Sequence, residues 1–323
     1  MDLKATTHVC VSPVKTEEED THVPPPSPMF LIMVNGGTTG AMLRIDGPET
    51  SLGRSAENSH QFPDPTVSRR HAVIKHDDSG LAWLTDLGSS NGTYLDNKRI
   101  APGKPARIED GARIQLGVTV VLKYVSLDPC DERFQREMFE RTVRDNLTGL
   151  YNRGYFMEQI GPLCERNRAR NLGTALLMVD VDYFKRVNDV HGHDVGDAAL
   201  REVAKVLRDS TRTEDLVARY GGEEFVLALP IASADQGWER ADQFRRELSV
   251  RPVRAGRKEL RITASIGVSC STIARPRTVK ALMTTADIAL YEAKRSGRDR
   301  VVASERMLAD AERRTESCDA VAV

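Results

Sequence analysis

The sequence has almost no net charge, few cysteines and no long apolar run. Its 323 residues sum to −1 at pH 7, so no global basic field argues for bulk binding to DNA or RNA, and neither is expected as a partner. The five cysteines (Cys10, Cys130, Cys164, Cys270 and Cys318) are odd in number and widely scattered. They form no CxxC or His-paired spacing, which points to reduced thiols rather than a disulfide framework or a zinc site. No apolar stretch nears the roughly 18 residues that would suggest a membrane span. The opening MDLKATTHVCVSPVK lacks the apolar core of a signal peptide, so a cytoplasmic protein is expected. No internal repeat is apparent. What remains is ordinary soluble composition, 40% hydrophobic and 29% charged, at a length that suggests about two domains.

Residues 1–28 hold KTEEED and VPPPSP and are expected to be a disordered acidic, proline-rich tail. From residue 29 to 126 short β-type runs follow one another: MFLIMV, AMLRI, HAVIK, LAWLTDL, ARIQLG and TVVLKYV. Turn signals such as NGG, DGP and SSNG separate them, which predicts an all-β sandwich. Residues 127–144 are charged and glycine-free, and predict a linker helix with Phe134, Met138 and Val143 near one stripe. Helix-period and strand-period segments then alternate over 145–304, predicting an α/β domain, and 305–323 is expected to be a frayed tail.

LVARYGGEEFVLALP (216–230) poses the central question. Two glycines and two glutamates interrupt an apolar strand pair, although burying unpaired charge is costly. Gly221 and Gly222 are expected to permit a tight turn and close backbone approach. TALLMV (174–179), a run of buried-strand type, ends at Asp180-Val181-Asp182. If the two strands are neighbours, Asp180, Glu223 and Glu224 converge, and hard oxygen ligands of this kind suit Mg²⁺. The competing reading is a solvated turn with unrelated acids. Nearby, Lys185 can offset phosphate charge, while Asn188 and Asp197 offer an amide and a carboxylate able to read a purine edge. ADIALYEAKRSGRDR (286–300) predicts a helix up to Gly297, placing Lys294 and Arg298 on one face if the last turn persists.

DNLTGLYNR (145–153), VDVDYFKRVND (179–189), GHDVGD (192–197), RYGGEEF (219–225) and AKRSGR (293–298) stand in an order that resembles the GGDEF-family diguanylate cyclases, with GGEEF in place of GGDEF. The resemblance implies a palm-like sheet surrounded by helices, and condensation of two GTP into cyclic di-GMP with release of two pyrophosphates. It implies two Mg²⁺ per site, with Mn²⁺ as a substitute, held by Asp180, the carbonyl of Val181, Glu223 and Glu224. Glu223 matches the proton acceptor. Asn188 and Asp197 match guanine readers, His193 and Gly222 further substrate contacts, and Lys185, Lys294 and Arg298 cations on the triphosphate. Catalysis would need a homodimer, because one domain holds one GTP. Arg212 and Asp215 in RTED (212–215) match a product-inhibition site for cyclic di-GMP. The alternative is a silent domain that acts as a cyclic di-GMP receptor through those two residues.

LGRS (52–55), VSRRHA (67–72) and LGSSNGT (87–93) form a second ordered set, which resembles a forkhead-associated (FHA) domain. The implied partner is a phosphothreonine peptide, with Arg54 and Ser68 on the phosphate, Arg69 and Ser90 beside it, and Asn91 on the peptide backbone. His71 reads as a loop brace. Thr16 and Thr21 flank EEED in the tail, so the peptide is expected to be this tail, after phosphorylation, or another protein.

Overall fold

The computed structural model describes residues 28–77, 79–255 and 258–304. The readings made for the two tails, Thr16 and Thr21 included, fall outside them.

In the N-terminal domain, alternating apolar residues drive two sheets face to face. One has six strands in the order Met42–Ile45, Met29–Asn35, Val120–Ser126, Arg113–Leu116, Thr93–Leu95, Lys98–Arg99. The other has five: His60–Gln61, Glu49–Gly53, Ala72–His76, Ala82–Asp86, Ala106–Ile108. Leu31, Leu52, Ile74, Leu84, Ile114 and Leu122 fill the space between them and are inaccessible to solvent. This is the expected sandwich. Strands Glu49–Gly53 and Thr93–Leu95 escaped the sequence reading because they are short and polar on one face.

Helix α1 (Pro129–Val143) begins where the Asp128 carboxylate accepts the backbone N–H groups of Cys130 and Asp131, a side-chain N-cap. Its expected apolar stripe is not a buried one. Val143 is buried, but Phe134 and Met138 remain 58% and 44% exposed, because the helix lies between domains rather than on a core. Phe139 instead packs toward Gly40, and Gln159 donates to the Thr38 hydroxyl at 2.7 Å, which joins the two domains.

Among the described residues five named helices follow: α2 (Arg153–Ala169), α3 (Phe184–His191), α4 (His193–Asp209), α5 (Ala234–Val250) and α6 (Val279–Arg295). They enclose a six-stranded sheet ordered Tyr151–Asn152, Leu216–Arg219, Glu224–Ile231, Gly173–Val181, Ala264–Ser271, Val301–Ala303. The central strand Gly173–Val181 is buried throughout, which is why its sequence is a continuous apolar run. Side chains alternate along it. Ala175, Leu177, Val179 and Val181 meet α4 and α5, whereas Leu176 and Met178 meet α2 and α6. Position 180 therefore faces the α2/α6 side. Gly267 lets α6 come down on the sheet, since a Cβ there would lie 2.2 Å from the Ala286 carbonyl oxygen.

One expectation fails here. The last helical turn does not persist to residue 298: α6 ends at Arg295, Gly297 takes φ +113°, and Arg298 itself is left-handed at φ +63°. Lys294 and Arg298 leave the chain from different local structures, because a glycine just past the helix end reverses the backbone.

Candidate functional site

Asp180 and Glu224 are direct cross-strand partners in the antiparallel pair Gly173–Val181/Glu224–Ile231, and paired residues share a face. The Val181 N–H donates to the Glu223 carbonyl at 3.2 Å and ties the glutamate turn to the strand end. Asp180, Val181, Glu223 and Glu224 are thus brought together as expected of neighbouring strands. What offsets their charge is a side chain of α6: Lys294 Nζ stands 2.7 Å from Asp180 Oδ2. Burial nevertheless pushes the Asp180 carboxyl above its usual range, with the Lys294 ammonium opposing. Glu223 is also pushed up, first by burial and then by the negative charge of Asp180.

Among the described residues, no three His, Cys, Asp or Glu side chains form a ready-made metal cage. The donor set still fits a hard divalent cation that arrives with a polyphosphate, because Mg²⁺ takes few protein carboxylates and completes its shell with water and phosphate oxygens.

The turn between the strands is tight, with the Tyr220 and Gly221 N–H groups both donating to the Glu224 carbonyl, but it does not use left-handed backbone. Neither Gly221 nor Gly222 adopts positive φ. Gly221 is needed for space, as a Cβ would meet Glu224 Oε2 at 2.6 Å, whereas a Cβ on Gly222 would touch nothing within 4 Å. A side chain at position 222 would thus project into open space. Gly222→Ala is expected to leave the melting temperature unchanged and lower turnover about tenfold or more, measured by thermal unfolding beside an activity assay. Arg219 holds this turn by donating to the Gly222 carbonyl at 2.7 Å, and its other nitrogen reaches Asp145 at 3.1 Å. Although burial opposes it, hydrogen bonds from Thr148 and Arg219 hold the Asp145 carboxyl below its usual range. The DNLTGLYNR stretch, given no role from sequence, thus anchors the signature turn where the chain leaves α1.

Helices α3 and α4 meet at Gly192, φ +90°. Asn188 lies against the next turn so closely that a Cβ on Gly196 would sit 1.9 Å from its Oδ1. That oxygen is buried and has no hydrogen-bond partner. Such a group calls for a donor from elsewhere. Asp197 follows Gly196 and is half-buried, while Lys185 and His193 are exposed on the same helix pair. Arg298 stacks over the Tyr183 ring at 4.5 Å, and its charge acts on Asp180. Asp182, which the sequence reading left without a role, is buried and hydrogen-bonded rather than directed at a ligand.

Arg212 and Asp215 occupy the loop before strand Leu216–Arg219 and do not pair through their side chains. The Arg212 backbone N–H donates to Asp215 Oδ2 at 2.7 Å and its side chain is exposed. The guanidinium on Asp215 belongs to Arg240 of α5, at 2.8 Å, and Asp215 Oδ1 is buried without a partner. Arg240 was missed because it lies 25 residues away in sequence.

At the loop end of the sandwich, Arg54, Ser68, Arg69, Ser90 and Asn91 line one pocket of about 650 Å³, together with Thr66 and Arg70. Ser68 Oγ accepts the Ser90 N–H at 3.1 Å, and Asn91 Nδ2 donates to the Thr66 carbonyl at 2.8 Å. His71 is fully buried; its ring bonds Ser68 N and the Gly92 carbonyl, which makes it the loop brace expected. No described helix is long and apolar enough to cross a membrane.

Residues 142–300 match the family described as "Diguanylate cyclase, GGDEF domain", and residues 50–117 match "FHA domain". Response regulator PleD of Caulobacter vibrioides is 32% identical over 295 residues, 90% of this chain and 60% of that protein. Diguanylate cyclase A of Treponema denticola is 36% identical over 176 residues, 53% of this chain and 47% of that one. This chain therefore spans less than two thirds of either relative. Among solved structures, the coiled coil and GGDEF domain of DgcB from Caulobacter crescentus in complex with c-di-GMP is 30% identical, with 53% of this chain and 91% of that chain covered and a TM-score of 0.49. By its sequence matches, the chain carries an FHA domain followed by a domain of the GGDEF family.

Proposed function

We propose that this protein is a diguanylate cyclase, condensing two GTP into cyclic di-GMP and two pyrophosphates. The observation that supports this most directly is the buried, partnerless Asn188 oxygen beside Asp197, a few residues from a carboxylate cluster. Guanine presents N1–H and a 2-amino group that can donate to Asp197 and Asn188; adenine lacks that pattern. His193 and the open face of Gly222 complete the nucleotide's surroundings. Lys185, Lys294 and Arg298 neutralise the triphosphate, and phosphoryl transfer depends largely on such positioning and charge compensation.

Asp180, the Val181 carbonyl, Glu223 and Glu224 would hold Mg²⁺, or Mn²⁺ in its place, and bound divalent ions would neutralise charge on the phosphates. Two domains face each other as a homodimer, each with one GTP. Glu223, whose proton affinity is raised by burial and by Asp180, takes the proton of a 3′-hydroxyl as that oxygen attacks the α-phosphorus of the opposite nucleotide. The bond to pyrophosphate breaks, and a second attack in the reverse sense closes the ring. Product binding at Arg212 and Asp215, with Arg240 on the same carboxylate, would restrain the cycle.

The FHA pocket would bind a phosphothreonine peptide through Arg54, Ser68, Arg69, Ser90 and Asn91, since charge-assisted bonds to a dianion are stronger than neutral ones. Such binding would regulate the cyclase through α1. The test is to incubate purified protein with Mg²⁺ and GTP or ATP and to resolve the products. Cyclic di-GMP from GTP alone is expected, and comparable turnover of ATP would refute the guanine assignment. Arg54→Ala is expected to abolish the response of turnover to a phosphothreonine peptide without lowering the rate in its absence; an unchanged response would remove the FHA pocket from regulation.

A further inference from the structure

Arg298 reaches the site from an unusual piece of backbone. Gly297, Arg298 and Asp299 have consecutive positive φ values of +113°, +63° and +43°. Two of these residues carry a Cβ, for which the left-handed region is unfavourable. A strained turn of this kind persists only when its surroundings hold it, and here the supports can be named.

Asp182, two residues beyond Asp180, is one support. Its carboxylate accepts from the Thr263 hydroxyl and the Ser265 hydroxyl at 2.7 Å each, and from the Asp299 backbone N–H at 3.0 Å. Its own N–H donates to the Thr263 carbonyl at 2.9 Å. Arg245 of α5 is the second. One guanidinium nitrogen donates to Asp299 Oδ1 at 2.8 Å and another to Asp242 Oδ1 at 2.9 Å. The Arg298 N–H closes on the Ala293 carbonyl at 3.1 Å, and the Arg298 carbonyl accepts from Arg300 at 3.0 Å. The contacts that reach the turn itself go to its backbone or to the Asp299 carboxylate, the others steady Asp182 and Arg245, and none of them engages the Arg298 guanidinium. That group lies over Tyr183, itself left-handed at φ +54° and largely exposed.

We infer that Asp182, Arg245 and Asp299 are positioning residues for the polyphosphate of the substrate: they lock the 297–299 turn so that Arg298, resting on Tyr183, is aimed at the β- and γ-phosphates before the nucleotide arrives. A pre-aimed arginine loses less freedom on binding than one that must first be ordered. The inference rests on the nucleotide reading above and adds to it a part that the signature motifs do not contain: Arg245 belongs to a helix on the other face of the sheet from Lys294.

The test compares GTP with GMP, which has the same guanine and ribose but lacks the phosphates that Arg298 would hold. Affinities are measured for the full chain in Mg²⁺, unaltered and as Asp299→Ala, Arg245→Met, Arg245→Lys and Arg298→Ala. Asp299→Ala and Arg245→Met are each expected to weaken GTP about five- to tenfold while changing GMP less than about twofold. Arg245→Lys should recover part of the loss. In an Arg298→Ala background, Asp299→Ala should add less than about twofold, because both act through the same guanidinium. Equal weakening of GTP and GMP, or full additivity with Arg298→Ala, would reduce these residues to structural ones and overturn the inference alone. Failure of the unaltered protein to bind either nucleotide would overturn the nucleotide reading and this inference with it.

Discussion

Lys294→Met is expected to destabilise the metal-free C-terminal domain by about 2 kcal/mol at neutral pH, roughly 4–8 °C in its unfolding transition. The cause is electrostatic. Asp180 is buried beneath Lys294 at 2.7 Å, and removing the ammonium leaves a poorly solvated carboxylate compensated only by the charge of Arg298. Full burial of both partners would predict a larger loss, but the Lys294 side chain is 31% exposed, so part of its charge is already screened.

The pH dependence has a definite sign. Burial already raises the proton affinity of Asp180 in the folded state against the opposing ammonium, and the substitution raises it further. The folded protein then binds a proton that the unfolded chain releases, so stability is retained below the ordinary carboxylate pKa and lost as pH rises through the folded value. The gap between unaltered and variant protein should be smallest below the ordinary carboxylate pKa and widen as pH rises above it. Mg²⁺ should close it again, and by more than it stabilises the unaltered protein, because in the variant the ion no longer competes with an ammonium for Asp180. Thermal unfolding as a function of pH, with and without Mg²⁺, decides the matter. A gap independent of pH would mean that Lys294 acts through packing.

Glu223→Gln should abolish cyclisation, by about 10²–10⁴-fold if the carboxylate takes the 3′-hydroxyl proton, while raising the metal-free melting temperature by about 2 °C. Burial and the charge of Asp180 both disfavour ionised Glu223. Neutralising it therefore relieves the folded state, and only above the raised pKa, where the group would otherwise be charged. Stabilisation with loss of turnover would mark a residue kept for chemistry rather than for folding. Loss of turnover with loss of stability would mean instead that Glu223 supports the turn.

The convergence of Asp180 with Glu224 was legible because an unbroken apolar run and a glycine-interrupted strand pair each end in carboxylates, and neighbouring strands bring such ends together. The FHA-like loops were legible only through resemblance, because LGRS, VSRRHA and LGSSNGT in that order are similar to the motifs of that family. Gly221 and Gly222 were read as permitting a tight turn and close approach, and the backbone allows both without positive φ, Gly221 by leaving room for Glu224 and Gly222 by facing open space. Asp182 was passed over because one more aspartate in an acidic stretch carries no local mark of burial.

Residue type and spacing along the chain pointed to a β-rich part followed by an α/β part, to the buried central strand and to the acids at its end, while the families came from motifs that resemble theirs. These features depend on hydrophobic periodicity and on motifs confined to a few consecutive residues. Which cation rests on Asp180, which arginine holds Asp215, and what keeps Arg298 in a left-handed turn were settled in space alone. Asp182 and Asp299 are 117 residues apart, and a pairing at that separation follows from how α5 and α6 pack on opposite faces of one sheet, which leaves no trace in local sequence pattern.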